Sequence, residues 1–113
     1  MTHLFGECDN RNCGFDNAQP MISGNVINNH LWGTGIYFTN NAGGLATNND
    51  IYDSACGIWV TENANPKIEG NQIRRTTIAI EVDEPATPSL IGNNLENNET
   101  DTQDWRPAGT NAY

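Results

Sequence analysis

The sequence predicts an all-β solenoid of about four rungs, each 22 residues long. Three observations carry that prediction. Residues 35–42, 57–64 and 79–86 superpose without a gap at a spacing of 22, as do residues 65–73 and 87–95. Inside each copy the apolar residues alternate with polar ones in short bursts (Ile36 and Phe38, Ile58 and Val60, Ile80 and Val82), a period of two with no helical stripe. The chain has 113 residues, of which 36% are hydrophobic, with 11 Gly and 18 Asn. That is too small and too polar for a large irregular core, whereas stacked repeats bury one apolar column after another.

Along the chain, residues 1–12 read as an N-terminal extension whose apolar pair is Leu4 and Phe5, and residues 13–98 read as the repeats. The stretch 13–18 is a degraded first half-rung. Residues 19–27, with Pro20, Ile22, Gly24, Asn25 and Ile27, open the series; they stand 24 residues from the next copy, so the loop 28–33 holds a two-residue insertion. Ile51, Ile73 and Leu95 then fall in the slot of Ile27. Each unit reads as three short strands and three bends. Stacked rungs lie about 4.8 Å apart in parallel register, so each inward side chain covers its equivalent one repeat away. Residues 99–113 read as a C-terminal tail, with Trp105 capping Leu90 and Leu95 and the remainder from Ala108 disordered.

The bends explain the composition. Asn25, Asn49, Asn71 and Asn93 recur at one position and are expected to form an inward ladder, its amides bonded from rung to rung where strands leave polar groups unsatisfied. Gly24, Asn48, Gly70 and Gly92 precede them, residue types that tolerate a left-handed backbone. Pro20, Pro66 and Pro88 stand at strand entries, where a missing N–H costs least. The asparagine excess is thus architectural.

Charge narrows the partners. Five Lys and Arg against 14 Asp and Glu leave a formal charge of -9, which repels nucleic acid and anionic membrane surfaces. No apolar run is long enough to span a bilayer, and residues 1–7 have neither the basic start nor the apolar stretch of a signal peptide. Neither a nucleic-acid partner nor membrane insertion is expected.

The pattern Pro-x-Ile-x-Gly-Asn-x-Ile at residues 66–73, followed by Ala79-Ile80-Glu81-Val82 in the slot of Gly57-Ile58-Trp59-Val60, resembles the right-handed parallel β-helix repeat of the pectate-lyase-like superfamily. Its short-rung branch includes carbohydrate-binding and sugar-hydrolysis modules, copper-site maturation factors and epimerase-like proteins. The resemblance implies a right-handed, single-stranded parallel β-helix and an extracellular or periplasmic setting. It also implies a carbohydrate-binding or carbohydrate-processing module, and the ends, open apart from Leu4, Phe5 and Trp105, suit either a piece of a longer β-helix or a small one that caps itself by association. The matching residues are scaffold positions, which specify fold and not chemistry. The catalytic motifs of the epimerase-like and polygalacturonase-like branches are absent, Lys67 is the single lysine, and Arg74 and Arg75 sit in no lyase-like motif. No catalytic residue is assigned; an enzyme of this kind would be a lyase, hydrolase or epimerase.

Stacking by 22 brings particular surface residues together. Tyr37, Trp59 and Glu81 occupy one outward position on successive rungs, which is either a candidate platform for the apolar face of a sugar ring with a carboxylate for its hydroxyls, or a row of ordinary strand formers or residues covered by the C-terminal tail. Glu62, Glu81, Asp83 and Glu84 form an acidic cluster; it is either solvated or a candidate Ca²⁺ site, since hard cations take carboxylate oxygens. No cofactor is otherwise required. Arg75 stacks on Asp53, and Arg74 lies between Glu96 and Tyr52. Cys8, Cys13 and Cys56, with His3 and His30, lack metal-site spacing, and Cys56 reads as a small buried thiol. The other class of function consistent with this pattern is a structural or protein-interaction solenoid, including end-to-end self-association through open rungs.

Overall fold

The computed structural model describes residues 7–8, 13–16, 18–28 and 33–105. Its strands are β1 (Glu7–Cys8), β2 (Cys13–Asp16), β3 (Met21–Ser23), β4 (Val26–Asn28), β5 (Thr34–Thr39), β6 (Leu45–Thr47), β7 (Asp50–Tyr52), β8 (Cys56–Val60), β9 (Lys67–Glu69), β10 (Gln72–Arg74), β11 (Ile78–Val82), β12 (Ser89–Ile91), β13 (Asn94–Glu96) and β14 (Thr100–Asp104). They form three sheets wrapped around one axis: a six-stranded sheet β1-β2-β5-β8-β11-β14 and two four-stranded sheets, β3-β6-β9-β12 and β4-β7-β10-β13. From β2 onward every pairing is parallel, and Ile36↔Ile58↔Ile80 and Ile27↔Ile51↔Ile73↔Leu95 stand in register. The chain is therefore a parallel β-solenoid of 22-residue turns.

The core is the set of inward columns. Ile22, Ala46, Ile68 and Leu90 face Ile27, Ile51 and Ile73, while Ile36, Ile58, Ile80, Phe38, Val60 and Val82 close the third side, all at most 3% exposed. Burying an Ile in this way contributes about 1.5–3 kcal/mol. Leu95 is only partly buried because no equivalent residue among those described lies beyond it.

Corners follow the residue types. Gly24, Asn48, Gly70 and Gly92 adopt φ of 71°, 55°, 67° and 65°. Each turns the chain between two four-stranded sheets, where a β-branched residue would be strained. A second left-handed corner, at Asp53, Arg75 and Asn97 with φ of 53°, 53° and 57°, has no glycine at all. Asp53 and Asn97 are of types that tolerate this conformation but Arg75 is not, so this corner was only partly legible from residue type.

Both ends differ from the sequence reading. Part of the expected N-terminal extension is strand: β1 runs antiparallel to β2, with Glu7 opposite Gly14 and Cys8 opposite Cys13. A hairpin needs only a short connection, whereas another parallel strand would need a whole rung. At the other end the solenoid continues past residue 98. β14 pairs with β11 in register, Thr100 beside Ile78 and Asp104 beside Val82. Trp105 follows it on the six-stranded sheet at 59% exposure, so it does not cap Leu90 and Leu95 as its position in the sequence suggested. Leu4, Phe5, His3, His30 and the stretch from Ala108 lie outside the described residues.

Candidate functional site

The asparagines expected in a ladder sit at the corner between the two four-stranded sheets. Asn49 donates its backbone N–H and Nδ2 to Asn71 Oδ1 at 3.1 and 2.9 Å, and Asn71 repeats both bonds to Asn93 at 3.0 Å. Asn25 does the same to Asn49 at 3.1 and 3.2 Å. Each amide also donates back to a strand carbonyl, Asn49 to Ile22, Asn71 to Ala46 and Asn93 to Ile68. Every one of these amides is engaged with the scaffold, which removes them from ligand chemistry. A shorter ladder missed in the sequence lies at the second corner, where Thr76 donates its N–H and hydroxyl to Asn98 Oδ1 at 2.9 and 2.7 Å. Its column, Ser54, Thr76 and Asn98, mixes residue types, which hid it.

The remaining candidates gather on the outer face of the six-stranded sheet. Tyr37, Trp59 and Glu81 are paired in register on β5, β8 and β11, with Gln103 of β14 beyond them. The rings of Tyr37 and Trp59 lie 5.0 Å apart between centroids and tilted by 32°, each half-buried. That spacing is the rung repeat itself, so the two rings form one apolar strip along the solenoid axis. Trp59 Nε1 donates to Asp83 Oδ2 at 2.8 Å, which locks the indole in place. Glu81 and Asp83, two residues apart and on the same face, stand close enough to hydrogen-bond when one of them holds a proton, and the Trp105 indole N–H lies beside the Glu81 carboxyl. Thus a carboxyl pair lies between two indoles, a grouping of which the sequence revealed only the Tyr37, Trp59, Glu81 column. The diagonal contacts across rungs, Trp59 to Asp83 and Trp105 to Glu81, have no signature in a 22-residue register.

Electrostatics follow from this crowding. Partial burial raises the Glu81 pKa above the ordinary glutamate value, the Asp83 charge and its hydrogen bond raise it further, and the Trp105 donor offsets part of the rise. Burial pushes the Cys56 thiol up to about 12, with the negative Glu81 next in weight. Cys56 is free, buried and, with that pKa, a poor nucleophile at neutral pH.

The acidic residues do not form one ligand set. No three His, Cys, Asp or Glu side chains among the described residues come together to hold a metal ion, so Glu62, Glu81, Asp83 and Glu84 do not converge as a Ca²⁺ site requires. The physical reason is the turn after β8 and β11: Glu81 and Asp83 point from the sheet face and stand beside each other, while Glu62 and Glu84 sit exposed at the bend beyond it. Arg75 Nε meets Asp53 at 2.9 Å, as stacking implied. Arg74 turns to Asp50 at 3.1 Å instead of Glu96, with its guanidinium 4.9 Å from the Tyr52 ring centroid. A shallow groove of about 460 Å³ on the β3-β6-β9 face is lined by residues including Gln19, Met21, Leu45 and Lys67, none of them a sequence candidate.

No helix among the described residues is long and apolar enough to cross a membrane. No curated protein and no solved structure matches this chain. The model of one family, described as the right handed beta helix region, matches residues 8–111, a span that takes in every strand from β2 to β14 and the aromatic and acidic face. With its parallel rungs, asparagine ladder and left-handed corners, the chain belongs to the right-handed β-helix family.

Proposed function

We propose that this β-helix is a carbohydrate-binding module whose site is the outer face of β5, β8 and β11. The observation that carries the reading is the Tyr37–Trp59 strip, two half-exposed aromatic rings 5.0 Å apart with a carboxyl pair on the next rung. An aromatic strip of this width accepts the C–H face of a pyranose, while Glu81 and Asp83 accept hydrogen bonds from its hydroxyls. The indole is pre-set by its bond to Asp83, so little ordering entropy opposes binding. Trp59→Ala is expected to abolish oligosaccharide binding in a calorimetric titration, since a buried aromatic anchor carries about 2 kcal/mol or more. The same variant should melt within a few degrees of the parent, because Trp59 adds to no inward column. An unbound parent across neutral, acidic and amino-sugar oligomers, together with a strongly destabilised variant, would establish the strip as scaffold.

A further inference from the structure

Building on the saccharide reading, we infer that the face of β5, β8, β11 and β14 selects cationic oligosaccharides, those built of free 2-amino sugars, over neutral ones and turns away uronates. Charge complementarity carries the inference. Thr34–Thr39, Cys56–Val60, Ile78–Val82 and Thr100–Asp104 contain no Lys, Arg or His. Their outward column contributes Glu81, and Asp83 follows at once on the same face. The described basic residues lie on other sheets: Lys67 on β9, and Arg74 and Arg75 at β10, where both arginines are already held by Asp50 and Asp53.

Glu81 and Asp83 therefore face each other with no cation among the described residues of their sheet, where indole N–H groups approach them, one from Trp59 and one from Trp105. Indole donors satisfy lone pairs without neutralising charge. An ammonium seated here meets a carboxyl pair and the faces of Trp59 and Tyr37, which attract cations through the ring quadrupole. One rung, about 4.8 Å, separates the aromatic strip from the carboxyls, so an equatorial amino group at the edge of a hexose stacked on the strip comes within hydrogen-bonding reach of them. The Glu81 pKa is raised first by partial burial and second by the Asp83 charge, and an ammonium would relieve the second of these. A uronate carboxylate placed on the same strip meets only like charge.

The test is calorimetry on the full chain with three hexamers of matched length: free glucosamine, N-acetylglucosamine and galacturonate. The expected order is free amine tighter than acetylated by on the order of tenfold, with galacturonate unbound, and the preference should shrink as salt is raised. The double substitution Glu81→Gln with Asp83→Asn is expected to bring the ratio of the first two affinities close to one, its fold checked by a thermal melt. Equal or tighter binding of the acetylated or uronate hexamer overturns the inference while leaving saccharide binding intact. Binding of the amine hexamer that survives Trp59→Ala and is matched by hexalysine overturns it too, since the face would then be reading charge alone. No binding of any hexamer fails the saccharide reading itself.

Discussion

At the scale of the residue, Glu81 is where structure and chemistry meet. Its carboxyl is partly buried beside Asp83, and its pKa is raised. A carboxyl with a raised folded-state pKa binds its proton more tightly in the native than in the unfolded chain. Its favourable contribution is therefore present below the ordinary glutamate range and is lost as pH rises through the folded value. Glu81→Gln keeps an acceptor for the Trp105 indole and removes the charge. It is expected to raise the melting temperature at pH 7 and to leave it unchanged or lowered at pH 3. A melt series across that interval checks it, and a variant less stable at pH 7 than at pH 3 relative to the parent would reverse the assignment. Cys56 shows the same rule on a thiol: burial and a nearby negative charge keep it protonated, so thiol-directed labelling of the native chain at pH 8 should leave it unmodified.

The element that sets the fold is the corner between the two four-stranded sheets. There Asn71 is 1% exposed and its Oδ1 receives two donors from Asn49, while its own Nδ2 serves Asn93 and the Ala46 carbonyl. Asn71→Ala orphans several of these buried groups at once, and each unsatisfied donor or acceptor costs about 1–3 kcal/mol. Asn63, exposed at the bend after β8, has no such column. Urea melts are expected to show a large loss for Asn71→Ala and almost none for Asn63→Ala; equal losses would show that the ladder contributes no more than an outer loop. Gly57 belongs to the same account, because a Cβ there would stand 2.5 Å from the Ala79 carbonyl oxygen of the next rung.

On the scale of the whole molecule, stability is a sum of rung-to-rung interfaces, so the ends matter most. β14 places Thr102 and Asp104 in register with Ile80 and Val82, and so ends two apolar columns with polar residues. β1, antiparallel on β2, closes the other end of the same sheet. The two four-stranded sheets have no such covering strand at β12 and β13 among the described residues, and Ile91 is 57% exposed there. Removing residues 99–113 is expected to expose the edge of β11, lower the melting temperature and promote association, because an open parallel edge is a template for pairing. Analytical ultracentrifugation of the truncated chain reads the association directly. A monomer of undiminished stability would mean that β14 adds nothing to the stack.

What the sequence determined by itself is the periodic part of this protein. The 22-residue repeat, the inward Ile and Val columns, the Asn25, Asn49, Asn71 and Asn93 ladder positions and the Gly24, Asn48, Gly70 and Gly92 corners are each set by local rules. Alternation, amide pairing and tolerance of a left-handed backbone can be read one residue at a time, and a constant repeat then stacks them without further information. Tertiary structure alone decided whatever breaks the period or runs diagonally to it. β14 was hidden because Thr102 and Asp104 stand where earlier rungs carry Ile and Val, so the apolar alternation that marks the other rungs is missing there. The pairing of Arg74 with Asp50, and the meeting of Trp59 with Asp83 and Trp105 with Glu81, join residues two positions out of register. Register fixes where a Cβ stands; a long side chain then has several neighbours in reach, and only packing and charge in the folded molecule choose among them.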